Sequence, residues 1–287
     1  MKEDLVYQET NHRYRRRTYQ ASILFVSNEA FIKGCYTRFI EKGHYMPNSL
    51  AQLYKPAIAA ILPAFNEANT IGNVLEVLCR VESLNEIIVV DDGSKDATAD
   101  IVRAFTRQDG RVRLIQHEGN RGKGQAIFSA WRSTQANYLI LLDSDLMNLT
   151  PAHIEALIAP VLADKADMTL GLFLGGRFYT DFAHWASPWL TGQRGLAAEI
   201  LKYVSEEAAA GYGFEVALTI AAKQYGYHTR IVPLKGVWHP PSEFHRGLLY
   251  GLRWRGRMYG NVVRAWYIAT RKRYPNAKAF FSLFTKP

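Results

Sequence analysis

Between Ala57 and Leu174 the chain alternates short apolar runs with longer stretches whose apolar residues recur at helical spacing. "AIAAILPAF" is apolar throughout, the mark of a strand buried on both faces. In "NEANTIGNVLEVLCRV", which follows it, Ile71, Val74, Leu75 and Leu78 stand at i, i+3, i+4 and i+7, the stripe of an amphipathic helix. The alternation continues with a strand in "EIIVVDDGS" and a helix in "KDATADIVRAF", where Ile101, Val102 and Phe105 face inward. "VRLIQ" predicts a strand, "GKGQAIFSAWRST" a helix and "NYLILLDSD" a strand. "PAHIEALIAPVLAD" reads as a helix with proline in its first turn, where a missing N–H is harmless, and "DMTLGLFL" as a fifth strand. Doubly buried strands alternating with helices predict an α/β fold, a Rossmann-like, mainly parallel sheet with helices on both faces.

The flanks are less regular. Residues 1–56 are aromatic, basic and weakly periodic, and "ASILFVSNEAFI" is their one obvious buried segment. After residue 174 comes a glycine-rich loop, "GGRFYTD", then "FAHWASPWLTGQRGLAAEILKYV", a helix in "YGFEVALTIAAKQYG" and a strand in "HTRIVPLKGVWH". A helical stretch from about Glu243 to Thr270 interleaves Leu248, Leu252, Trp254, Met258, Val262 and Trp266 with arginines. Such a basic amphipathic helix either lies on an anionic membrane or packs its stripe on the main domain or a second subunit.

Composition narrows the class. With 287 residues, 48% of them hydrophobic, there is material for a large core, and a charged fraction of 21% argues against long disorder. The two cysteines, Cys35 and Cys79, have neither CxxC nor metal-ligand spacing, which fits a reducing cytoplasm. The opening "MKEDLVYQETNHRYRRR" is polar and charged, unlike a signal peptide, and no apolar run reaches the length of a membrane span. A net charge of +9 is compatible with nucleic acid, anionic lipid, phosphorylated small molecules or a merely solvated surface. No recognition motif of the usual nucleic-acid-binding modules accompanies the charge, so no nucleic-acid partner is expected.

The chemistry gathers at strand ends, where ligands sit in sheets of this kind. Pro63–Glu67, Asp91–Ser94 and Asp143–Asp145 fall along one edge. Two buried carboxylates one residue apart raise each other's pKa unless a positive charge joins them, and a divalent cation is the economical one. The plainer reading of Asp143-Ser144-Asp145 is a polar turn with Asp145 capping a short helix. Asp91 and Asp92 read either as ligand contacts or as a turn with helix capping. Lys123, between two glycines at a helix start, is placed to reach a phosphate beside free N–H groups, or is an ordinary exposed lysine.

"PAFNE", "VVDDGSKDAT", "GNRGKGQA" and "LLDSDL" together resemble the family 2 type of nucleotide-sugar glycosyltransferases with the A fold, over about Ile58 to His239. The resemblance implies a metal-dependent hexosyltransferase with Mg2+ or Mn2+ bridging the diphosphate of a UDP-sugar donor. It implies Asp143 and Asp145 as metal ligands, and Pro63, Ala64, Glu67, Asp91, Asp92, Lys123, Asp143 and Ser144 at the donor. Within the family, "DSDLMNLTP", "GGRFYTD", "WLTGQRG", "GYGFEVAL" and "GVWH" resemble the glucosyl-3-phosphoglycerate synthases. That likeness implies Gly176, Arg177 and Thr180 on the acceptor phosphate, His239 as third metal ligand, and Glu215, with Asp145, as catalytic residues. It further implies glucose as the sugar and 3-phosphoglycerate as the acceptor, with a membrane polyprenyl phosphate or glycolipid as the alternative. "VVDDGS" departs from those synthases, which carry serine at the second acidic position.

The expected organisation is an N-terminal extension (1–56), a glycosyltransferase domain (57–242) and a basic C-terminal helical region (243–287). The domain divides into a nucleotide-binding half (57–145) and an acceptor half (146–242). A cytoplasmic protein is expected, with peripheral contact at the inner face of the membrane and a homodimer as the further partner expectations.

Overall fold

The computed structural model describes residues 56–175, 188–209 and 213–240, together with Gly260, Tyr267 and Ile268. Seven strands form one sheet in the order β3-β2-β1-β4-β6-β5-β7. They are β1 (Ile58–Ala64), β2 (Glu86–Asp91), β3 (Val112–Gln116), β4 (Tyr138–Leu141), β5 (Met168–Leu174), β6 (Arg194–Ala197) and β7 (Thr229–Lys235). The helices are α1 (Ile71–Cys79), α2 (Thr98–Gln108), α3 (Lys123–Arg132), α4 (Pro151–Leu162) and α5 (Phe214–Gln224).

The apolar runs behave as doubly buried strands must. Side chains alternate across a strand, so Ala60, Leu62, Ile87, Val89, Ile140 and Leu142 face α1, α2 and α4. Their neighbours Ala59, Ile61, Ile88, Val90, Leu139 and Leu141 face α3 and α5. The helical stripe is confirmed residue by residue, since Ile71, Val74, Leu75 and Leu78 are all fully buried. Helix α5 is buried on every face from Phe214 to Ala222. Ile268 packs on the core beneath α3 and α5, while Tyr267 beside it is exposed.

Strands β1 to β4 are parallel, with Ala64 opposite Asp91 and Ile61 opposite Leu141. The carboxyl ends of β1, β2 and β4 therefore open on one edge, as the sequence predicts. One strand is not anticipated by the sequence pattern. The four-residue β6 inserts between β4 and β5 and runs antiparallel to both. It carries Arg194 and Gly195 in place of branched apolar residues, so no strand signal marks it. Gly195 is required there, because a Cβ would lie 2.5 Å from the Leu157 carbonyl oxygen. Among the described residues, no helix is long and apolar enough to cross a membrane.

Candidate active site

The chain leaves β4 at Leu141 and enters a turn through Ser144 and Asp145, with no helix for Asp145 to cap. Two residues later Met147 bridges to Trp238, with the Met147 amide donating to the Trp238 carbonyl at 2.8 Å. That bridge brings His239 to the two aspartates although it lies far downstream in sequence. Its ring also packs edge-on against Phe173, with centroids 5.9 Å apart.

Lys123 is the hub of the edge. As the first residue of α3 it follows Gly122, whose φ of 91° lies in the region open to glycine. Its Nζ donates to Asp143 Oδ1 at 2.5 Å and lies 2.6 Å from Glu215 Oε1 in the first turn of α5. Burial works against the ammonium, but Asp143 and Glu215 outweigh it and hold the lysine well above its ordinary range. Asp143 is the mirror image: burial pushes its carboxyl up, yet Lys123, Gln193 and His239 together bring it below the usual range. Asp145 is raised, by burial first and then by the charge of Asp143, with His239 and Lys123 only easing it. Glu67 is raised mainly by burial.

One lysine shared between Asp143 and Glu215 thus leaves Asp145 short of positive charge. Two carboxylates and an imidazole are a donor set that suits a hard divalent cation. Among the described residues no group of three or more His, Cys, Asp or Glu is arranged to hold a metal ion. His239 is near enough to both aspartates to ease the burden of their charge.

Several contributors were missed by sequence reasoning. Gln193 Nε2 donates to Asp143 Oδ2 at 2.7 Å, and its Oε1 lies 2.8 Å from the Thr191 hydroxyl. Gly192 between them leaves room for the site: a Cβ there would lie 2.5 Å from Asp143 Oδ2 and 2.7 Å from Lys123 Nζ. Arg194, fully buried, donates to the carbonyls of Thr191, Trp189 and Glu215 and to the Thr219 hydroxyl. It fixes the start of α5, and burial drives its pKa down to about 10. The signal was present in "LTGQRG", three polar side chains leading into an apolar run.

The first two strand ends are knitted together. Asn66, at φ 58°, donates its amide to Ser94 Oγ at 2.9 Å, and the Glu67 amide donates to Thr98 Oγ1 at 2.8 Å. Pro63 and Ala64 lie opposite Val90 and Asp91. Asp91 Oδ1 accepts the Ser94 amide at 3.0 Å, the turn contact of the plainer reading. Asp92 is buried and turned toward the loop after β3: its oxygens accept the amides of Arg121 at 2.9 Å and Gly122 at 2.7 Å. The edge therefore gathers Pro63, Ala64, Glu67, Asp91, Lys123, Asp143, Ser144, Asp145, Glu215 and His239. Gly176, Arg177 and Thr180 lie outside the described residues.

The family model described as glycosyl transferase family 2 matches residues 59–215. The chain is 28% identical over 198 residues to glucosyl-3-phosphoglycerate synthase of Mycobacterium tuberculosis, covering 57% of this chain and 60% of that protein. It is 30% identical over 135 residues to an undecaprenyl-phosphate 4-deoxy-4-formamido-L-arabinose transferase of Pseudomonas fluorescens, covering 45% of this chain and 39% of that one. The chain thus spans less than two thirds of either relative. A crystal structure of the Mycobacterium tuberculosis synthase with Mn2+, UDP and glucosyl-3-phosphoglycerate superposes with a TM-score of 0.60 at 25% identity, covering 75% of this chain and 80% of that one.

Proposed function

The chain belongs to glycosyl transferase family 2, and on that premise we propose that it transfers glucose from UDP-glucose to a small phosphorylated acceptor such as 3-phosphoglycerate, with Mg2+ or Mn2+ as cofactor. The observation that carries this reading is Lys123 standing between Asp143 and Glu215 at the carboxyl edge of the sheet. An ammonium between two carboxylates is placed to exchange one of them for a phosphate oxygen. The likeness to a synthase solved with Mn2+, UDP and its product supports the choice of substrates.

The roles proposed are those the family resemblance implies. Pro63, Ala64, Glu67 and Asp91 flank the nucleoside at the ends of β1 and β2, and Ser144 lies within the metal turn. Lys123 and the free N–H groups at the start of α3 meet the diphosphate. A divalent ion held by Asp143, Asp145 and His239 would stabilise the charge that builds on the departing diphosphate. Glu215, across Lys123 from Asp143, faces the acceptor and orients its hydroxyl, and Gly176, Arg177 and Thr180 hold the acceptor phosphate. Arginine suits that task because its planar fork donates two parallel bonds.

A second reading, transfer to a membrane polyprenyl phosphate, is supported by the likeness to the undecaprenyl-phosphate transferase. The basic stretch with Trp254 and Trp266 would then meet the membrane surface. One experiment separates the two: a transfer screen of UDP- and GDP-sugars against 3-phosphoglycerate and against polyprenyl phosphate in liposomes. Transfer from UDP-glucose to 3-phosphoglycerate without lipid supports the first reading. Product only with the lipid phosphate replaces it with the second.

A further inference from the structure

Buried Asp92 and His117 and half-buried Ser129 form a hydrogen-bonded chain behind the donor edge. His117 follows β3, and its amide donates to the Asp91 carbonyl at 2.9 Å, which carries the sheet one residue further. Its ring is buried, with Nδ1 at 2.7 Å from Asp92 Oδ1 and Nε2 at 2.9 Å from Ser129 Oγ. Asp92 already accepts two backbone amides, so Nδ1–H is the donor of its third bond. The acidic pair is followed by Gly93 at φ 79°, and a Cβ there would lie 2.7 Å from the Gly119 Cα. The two loops are therefore in backbone contact, and the glycine permits it.

Both ends of this chain bear on α3. Asp92 holds Arg121 and Gly122, the two residues that lead into Lys123. Ser129 sits six positions beyond Lys123 on the same helix. A helix gripped at its entry and again in its second turn is fixed in rotation about its axis as well as in position. The reach of the Lys123 side chain depends on both.

We infer that His117, Asp92 and Ser129 are positioning residues that set Lys123 for the diphosphate, so that grip on a nucleoside diphosphate depends on them and grip on the nucleoside does not. This deepens the donor reading above and rests on it. Asp92 then acts through the loop, with its carboxylate spent on backbone amides and His117 instead of on uracil or ribose.

The test is calorimetry of the full-length protein with UDP and with uridine, each in the presence of Mn2+, on the parent and on His117→Ala, His117→Asn and Ser129→Ala. Losing a hydrogen bond to a charged group is expected to weaken UDP about tenfold or more in His117→Ala. Uridine affinity should stay within about twofold, because only the phosphate contact is displaced. Asparagine keeps a donor near the place of Nδ1, so His117→Asn should recover most of the loss. Hydrogen exchange at the Arg121 and Gly122 amides, measured without nucleotide, should quicken in His117→Ala. Equal loss of UDP and uridine in a folded His117→Ala overturns the proposal and returns Asp92 to the nucleoside. Unchanged UDP affinity with unchanged exchange also overturns it. If the alanine variant does not fold, Ser129→Ala decides by the same readouts. A parent that binds no UDP sinks the donor reading alone, and the exchange measurement still decides the clamp.

Discussion

Gln193 donates its side-chain amide to Oδ2 of Asp143 at 2.7 Å, across 50 residues of sequence. Together with Lys123 on the other oxygen, it fixes the carboxylate plane before any ligand arrives. Supporting partners of this kind typically contribute tenfold or more to metal affinity. Gln193→Leu is expected to weaken Mn2+ binding by about tenfold with little change of fold. A Mn2+ titration in the presence of UDP checks it, and parental affinity would remove Gln193 from the site.

Among the described residues, Lys123 is the cation that faces both Asp143 and Glu215. Removing one partner of a buried pair costs about 3–5 kcal/mol. The Lys123 side chain is 30% exposed, so Lys123→Met is expected to cost less, about 1–3 kcal/mol. UDP affinity should fall as well. Urea unfolding of the two proteins measures the first effect, and calorimetry the second.

Arg194→Met should destabilise strongly, because the carbonyls of Thr191, Trp189 and Glu215 and the Thr219 hydroxyl each lose a hydrogen bond from the guanidinium inside the core. An expected loss of about 2–4 kcal/mol follows from leaving buried acceptors unsatisfied. Since Arg194 fixes the Glu215 carbonyl, transfer should fall more than UDP binding. Thermal unfolding compared with a transfer assay separates the two consequences.

The pH dependence has one well-defined contributor away from the site. Hydrogen bonds from Arg111, reinforced by its charge, hold the Asp109 carboxyl down to about 2. Arg111 also donates to the carbonyls of Cys79, Val81 and Leu84, so the pair ties α1 to the turn before β3. A folded pKa below the unfolded one stabilises at pH above the unfolded value, near 4, and the benefit vanishes as pH falls through 2. Asp109→Asn should therefore lose about 1–2 kcal/mol at pH 7 and at most a few tenths of that at pH 2, where the parent carboxyl is half protonated. Denaturation curves at both pH values check the sign.

The strands and helices from Ile58 to Lys235 were legible because each apolar run matched one period. The ends of β1, β2 and β4 were equally legible, since a parallel sheet with helical crossovers puts its polar turns on one edge. Strand β6 was not, because its place is set by tertiary packing of Arg194 and Gly195 and not by propensity. The approach of His239 to Asp143 was readable only from the family resemblance; in the fold it depends on the Met147–Trp238 bridge. Asp92 was read as facing the ligand, and no local pattern could tell that its oxygens also accept the amides of Arg121 and Gly122.

The central claim is that Asp143 and Asp145 hold a divalent ion that in turn holds the donor diphosphate. It is tested most directly by the UDP-induced shift in Tm, measured with Mn2+ and with EDTA, in the parent and in Asp145→Asn. Ligand bound to the folded state alone raises Tm by an amount that grows with the logarithm of its concentration over Kd. The account predicts a clear UDP shift with Mn2+, a much smaller one with EDTA, and no difference between the two in Asp145→Asn. Equal protection by UDP with and without metal in the parent would contradict it.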